Sequence, residues 1–258
     1  MSIPVSQTLP ISAVIICSDP APLLGECIQS LTAFDEVLVY LNGASENAAQ
    51  TAARYANVTV VHGQFIGFGP TKQVACDAAR NDWVFSIDSD ERIEPSLLAA
   101  LGEVNWQAAD CCYEVLRQNY CLGKHIRRGG WGNDQLLRLF HRSAAAFNDK
   151  AVHEKVVPNS ASRVAVLPGA LRHDAVTEVD QFLHKISRYS ELAANAKPSA
   201  AGAHPWLAIV RGRFAFFKSY VLQLGMLEGW RGVIIAQGRA TGTFYRYAKR
   251  FANAQSSD

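Results

Sequence analysis

The chain is short of charge. Only 19% of its 258 residues are charged and the formal net charge is +2, too little for a nucleic-acid binder held by phosphate attraction. None of the six cysteines (Cys17, Cys27, Cys76, Cys111, Cys112, Cys121) belongs to a Cys-x-x-Cys pair. That excludes the common zinc patterns and a disulfide framework, and points to reduced, buried thiols in a cytoplasmic protein. No apolar run reaches the roughly 20 residues that a membrane span requires. The run Ile11 to Cys17 has no basic residues before it and reads as a strand, not a secretion signal. Repeats and low-complexity tracts are lacking as well. Lysine and arginine are missing before Arg54, where the five acids Asp19, Glu26, Asp35, Glu36 and Glu46 give a net −5.

From His204 onward the balance reverses: eight bases face Glu228 and Asp258, a net +6. A positive end on a nearly neutral chain suggests an anionic surface as partner. With 49% apolar residues, the chain is long enough to bury a full core.

The first hundred residues alternate regularly. Strands are expected at 11–17, 36–41, 58–61 and 83–87, with helices at about 22–31, 45–55 and 67–79. Ser45 is the expected cap of the second helix. Apolar strands alternating with helices imply βαβ units and a parallel sheet covered on both faces. After Cys111 the rhythm changes to strands at 112–119, 135–141 and 164–167 joined by Gly-rich, basic loops. From Thr177 the chain turns helical, with Thr177-x-x-Asp180 resembling a capping box. The stretch 197–204 is the best linker candidate. These changes divide the chain at 1–110, 111–176 and 177–258.

Asp88-Ser-Asp90 follows the fourth strand directly. Twelve aspartates in a chain of this length would produce about half such a pair by chance, so position matters more than pattern. Ligands of open α/β sheets gather beyond the carboxyl ends of the strands. Two carboxylates there can hold a hard divalent cation against substrate phosphates, or else merely solvate a turn. Asp134, between Gly-rich turns and a strand, reads either as a rim base or as a loop acid bound to Arg138. Lys72, at the start of a helix, reads as a phosphate contact or as a solvated surface lysine.

Taken together, Phe85-Ser-Ile-Asp-Ser-Asp-Glu-Arg92, Gly67-Phe-Gly-Pro-Thr-Lys72, Gly129-Gly-Trp-Gly-Asn-Asp-Gln-Leu-Leu-Arg-Leu-Phe140 and Val152-His-Glu154 resemble family 2 glycosyltransferases. Within that family the chain is similar to bacterial lipopolysaccharide core enzymes, from about Ile11 to Phe251. The resemblance implies an α/β chain of the GT-A (Rossmann-like) type: a mostly parallel sheet with helices on both faces, plus a C-terminal helical appendage. The three segments become a nucleotide-sugar-binding half (1–110), an acceptor-binding and catalytic half of the same domain (111–176), and a membrane-associating helical region (177–258).

The resemblance also implies the site. Asp88 and Asp90 match the family's D-x-D, which holds Mn²⁺ or Mg²⁺ against the diphosphate of a nucleotide-sugar, and His173 adds a contact to the metal or diphosphate. Asp134 falls where the family places its catalytic base. Lys72, Asn42 and Asp19 join Asp88 on the donor side, while His153, Glu154, Arg128 and Trp131 shape the acceptor side. Two departures fall in the nucleotide-base pocket: Leu41 stands where an acid is usual, and Cys17-Ser-Asp-Pro20 lacks the usual Asn-Glu.

The expected activity is inverting, metal-dependent transfer of a sugar, glucose first among candidates, from a UDP-sugar to a lipid-anchored lipopolysaccharide inner-core acceptor. The expected place is the cytoplasmic face of the bacterial inner membrane, bound peripherally to its anionic surface, with no nucleic-acid partner. The alternatives are a family 2 transferase with another sugar or acceptor, or a nucleotide-sugar-binding membrane protein without turnover.

Overall fold

The computed structural model describes residues 8–43, 45–132, 134–150, 154–196 and 204–255. Its elements run β1 (Leu9–Cys17), α1 (Leu24–Gln29), β2 (Phe34–Leu41), α2 (Glu46–Ala52), β3 (Val58–His62), α3 (Phe68–Asp77), β4 (Trp83–Ser86), β5 (Glu91–Ile93), α4 (Pro95–Leu101) and β6 (Cys111–Cys121). They continue with β7 (Lys124–His125), β8 (Asp134–His141), β9 (Ala145–Phe147), β10 (Val156–Pro158), β11 (Arg163–Val176), α5 (Val179–Asn195), α6 (Pro205–Phe217) and α7 (Trp230–Gln255). The chain forms two compact units, one of residues 1–117 with 134–173, the other of 118–133 with 174–258.

The first unit is α/β. Its sheet runs β3-β2-β1-β4-β8-β6-β11-β5. The first four strands are parallel, and β8 pairs antiparallel with both β4 and β6. Alternation along β1 and β2 builds a core on each face. Ile11, Ala13 and Ile15 of β1 and Val37, Val39 and Leu41 of β2 join Leu24 and Ile28 of α1, Ala52 of α2 and Leu97 of α4. Val14 and Leu38 point the other way, into a cluster with Ala75 and Cys76 of α3. Covering both faces explains why these strands read as nearly unbroken apolar runs.

Two helix caps differ from the sequence expectation. Ser45 Oγ donates to the Gly43 carbonyl, 2.9 Å away. The amides at the start of α2 are accepted instead by Asp19, whose carboxylate takes Asn47 N at 3.1 Å and Ala48 N at 3.0 Å. A carboxylate satisfies those orphan amides and also favours the positive helix end, so it outcompetes a hydroxyl. Thr177 forms no capping box: its hydroxyl bonds Gln181 Oε1 at 2.7 Å, and α5 opens after Glu178.

The second unit is mainly helical, with α6 and α7 joined by a π turn (218–222) and a 3₁₀ turn (225–228). Among the described residues no helix is long and apolar enough to cross a membrane. All six cysteines are free, five of them buried, and burial pushes the Cys76 thiol up to about 12. The proposed linker, apart from His204, lies outside the described residues.

Candidate active site

Parallel pairing aligns the carboxyl ends of β1, β2 and β4, so Asp19, Asn42 and the Asp88–Asp90 turn stand at one sheet edge. The order β2-β1-β4 makes this the point where the chain switches from one side of β1 to the other, the usual place for a ligand in an open α/β sheet. Asn42 continues the pairing there, its amide bonded to the Cys17 carbonyl at 2.9 Å. Asp19 is committed to α2, as described above.

Asp88 lies two residues beyond β4, inside a ring of charge. Its Oδ1 accepts from Lys72 Nζ at 2.8 Å, and its Oδ2 from Arg138 Nη2 at 3.0 Å. Lys72 is only 5% exposed and so is no solvated surface lysine. It sits on the first turns of α3 and also donates to Glu154 Oε1 at 3.0 Å. Burial works to raise the Asp88 carboxyl, but Lys72 and Arg138 outweigh it and hold it well below the ordinary value of 3.8. Burial likewise pulls Lys72 down, but Asp88 and Glu154 outweigh burial and the nearby Arg138 and raise it above 10.5.

The hub of the ring is Glu91, which the sequence reading passed over. Fully buried, it accepts the Asp88 amide at 3.0 Å, Arg138 Nη2 at 2.6 Å and Arg117 Nη1 at 3.3 Å. Arg138 is raised further above its ordinary value, with Glu91 and then Asp88 overcoming the downward pull of burial. Arg117 was unassigned by sequence, and Arg138 was named only as a partner for Asp134. Their signal was strand position. Arg117 pairs with Asp134 across β6 and β8, and Arg138 falls at the register shift of the same pairing, between Leu137 opposite Glu114 and Leu139 opposite Tyr113.

Asp134 therefore begins a strand, and its partner is Arg117, not Arg138. Arg117 Nε reaches Asp134 Oδ2 at 3.1 Å, and Nη2 bonds the same oxygen. Lys72, Asp88, Arg117, Arg138, Glu154 and Lys155 line a cavity of about 410 Å³, together with Gln135, Phe147 and others. Asp134 joins it through Arg117 rather than by lining it.

The metal expectation names Asp88, Asp90 and His173. The antiparallel register of β5 with β11 sets His173 opposite Glu91, which brings His173 Nε2 to 3.6 Å from Asp90 Oδ2. Among the described residues no three His, Cys, Asp or Glu side chains converge on one point. Both Asp88 oxygens already carry cationic partners. A carboxylate with one neighbouring imidazole still fits a hard cation that takes its remaining ligands from substrate phosphates and water.

On the acceptor side, Glu154 joins the ring through Lys72, and His153 lies outside the described residues. Arg128 and Trp131 belong to the second unit. Arg128 is exposed. Trp131 packs edge-on against Phe182, 6.2 Å between ring centres, and its carbonyl accepts from Asn119.

Residues 12–167 match the family described as Glycosyl transferase family 2. The chain belongs to that family. It is 27% identical over 255 residues to the lipopolysaccharide core biosynthesis glycosyltransferase LpsC of Rhizobium meliloti (strain 1021), covering 93% of this chain and 92% of that one. It is 22% identical over 257 residues to an uncharacterized glycosyltransferase of Rickettsia bellii (strain RML369-C), covering 94% and 86%. Among solved structures, S. aureus TarS 1-349 aligns with a TM-score of 0.44 and 14% identity, over 96% of this chain and 92% of that one. The chain is thus a glycosyltransferase with an α/β first unit, which follows from the family match and the strand order.

Proposed function

We propose that the chain transfers a hexose, glucose first among candidates, from a UDP-sugar to a lipid-anchored inner-core lipopolysaccharide acceptor, with inversion. The observation that supports this most is the ring of opposite charges at the switch point. Lys72 and Arg138 offer ammonium and guanidinium donors suited to a diphosphate. Arg138 Nε is buried and has no hydrogen-bond partner among the described residues, a donor still unspent. The 27% identity to LpsC, whose name specifies lipopolysaccharide core biosynthesis, supports the acceptor class.

In this reading Asp134 removes the proton from the acceptor hydroxyl as that oxygen attacks the sugar. Arg117 fixes one carboxylate oxygen, and among the described residues the other, Oδ1, has no hydrogen bond. That oxygen is the one left to take a proton. Lys72 and Arg138 bind the leaving diphosphate and stabilise the negative charge that grows on it. Asp90 and His173 would hold a Mn²⁺ or Mg²⁺ ion, which when bound offsets diphosphate charge. Asn42 serves the nucleotide base, and Glu154 and His153 serve the acceptor. Because the acceptor is lipid-anchored, the enzyme works at the cytoplasmic face of the inner membrane as a peripheral protein.

The test is the intact mass of lipid-linked core oligosaccharide after incubation with a panel of nucleotide-sugars. A gain of one hexose with a UDP donor alone supports the reading. A gain from another donor, or on a soluble acceptor only, contradicts the assigned substrates. No gain from any donor contradicts the transfer.

A further inference from the structure

α6 is amphipathic in the reverse sense for a helix in water. Trp206, Val210, Phe214, Phe217 and, just beyond it, Val221 follow one another at steps of four, four, three and four residues, and all are exposed, Trp206 by 73% and Val210 by 61%. These steps line one helix face. Ala208 and Gly212 occupy the buried side, where a Cβ on Gly212 would meet the Ala240 carbonyl of α7 at 3.1 Å. Small residues therefore face the neighbouring helix and large apolar ones face water. The turns that follow continue the stripe with Leu222, Leu224, Met226, Leu227 and Trp230, all exposed. Single exposed apolar residues need no explanation, but a continuous series does.

The charges around the stripe have one sign. Arg213 and Lys218 are exposed within it. The one acid between Trp206 and Lys249 is Glu228, which is buried, paired with Lys124 Nζ at 3.1 Å and accepting the Arg127 amide at 3.1 Å. Between Trp206 and Lys249 no carboxylate is offered outward to meet these cations, so a second copy of the same face would bring like charges together. An anionic lipid surface supplies both complements, acyl chains for the stripe and phosphates for the cations. Trp206 and Trp230 bracket the stripe, and tryptophan favours that boundary.

We propose that α6 and the turns after it form a membrane insertion face. Its apolar stripe enters an anionic leaflet by roughly 5–10 Å while Arg213 and Lys218 stay at the phosphate level. The inference deepens the peripheral placement proposed above, and rests on it only for which leaflet is engaged.

The test uses the full chain with vesicles of phosphatidylcholine, with and without phosphatidylglycerol. Sedimentation and tryptophan emission report binding, and thermal shift with UDP reports the donor site. The wild type is expected to bind the anionic vesicles at least about tenfold more tightly, with emission moving to shorter wavelength. Phe214→Ser combined with Phe217→Ser changes only exposed side chains. It should weaken binding about tenfold or more and leave the UDP-induced shift and the melting temperature intact. Arg213→Glu with Lys218→Glu should remove the preference for anionic vesicles. Vesicle binding by the double-Phe variant equal to wild type would overturn this face while sparing the peripheral placement. No vesicle binding at all, with the UDP shift retained, would overturn both and spare the transferase. A wild-type dimer that the double-Phe variant loses would assign the face to a second copy and overturn the proposal.

Discussion

Arg117 and Asp134 stand opposite each other across β6 and β8, and the guanidinium holds a single carboxylate oxygen, Oδ2, through both Nε and Nη2. The same guanidinium reaches the buried Glu91 at 3.3 Å, so the position of the proposed base is set from the charge ring.

Arg117→Ala should therefore reduce turnover through misplacement of Asp134 while leaving the donor contacts at Lys72 and Arg138. A loss of about 100-fold in kcat matches what misplacement near 1 Å costs. Donor KM should change far less. Steady-state kinetics with varied donor separates the two, and a change confined to KM would remove Arg117 from this role.

Glu91 is fully buried and bonded to both Arg117 and Arg138. Removing one partner of a buried ionic cluster leaves the others uncompensated, at about 3–5 kcal/mol. Glu91→Ala should lose stability of that order in chemical denaturation. Asp90→Asn, at a partly exposed position, should lose little. Equal losses would show that the ring has no special stabilising role.

The depressed Asp88 pKa fixes the sign of the acid response. A carboxyl held below its ordinary 3.8 contributes stability that is present above pH 3.8 and lost as the pH falls through the folded value. The raised Lys72 contributes below 10.5 and loses its contribution as the pH climbs through its own folded value. The stability gap between wild type and Asp88→Asn should be widest between these limits and close in acid. A gap that widens on acidification would reverse the assignment.

Chelation tests the Asp90–His173 pair. EDTA should silence transfer reversibly, Mn²⁺ or Mg²⁺ should restore it, and Asp90→Asn should abolish it with folding intact. Unchanged turnover of Asp90→Asn at saturating metal would detach Asp90 from the cation.

The parallel half of the sheet and its helices were legible because two-sided burial writes itself as β-branched, apolar runs. The motifs around Asp88 and Asp134 drew attention to both, and the structure places Asp88 in the cavity lining and Asp134 behind Arg117. Glu91, Arg117 and Arg138 were not, because their meaning comes from pairings across β5, β6 and β8 that no local spacing reveals. His173 lies 83 residues beyond Asp90, and only the β5–β11 register brings the two together. Ser45 failed as a cap for the same reason: Asp19, from the preceding βα loop, reaches α2 first.

Asp134 is proposed to remove the acceptor proton at a donor site built by other residues. The most direct test is turnover of Asp134→Asn measured beside donor affinity. Turnover should fall by about 10²- to 10⁴-fold with affinity near wild type. Turnover above about a tenth of wild type would fall outside the range for a lost base and contradict that role, as would a parallel loss of donor binding.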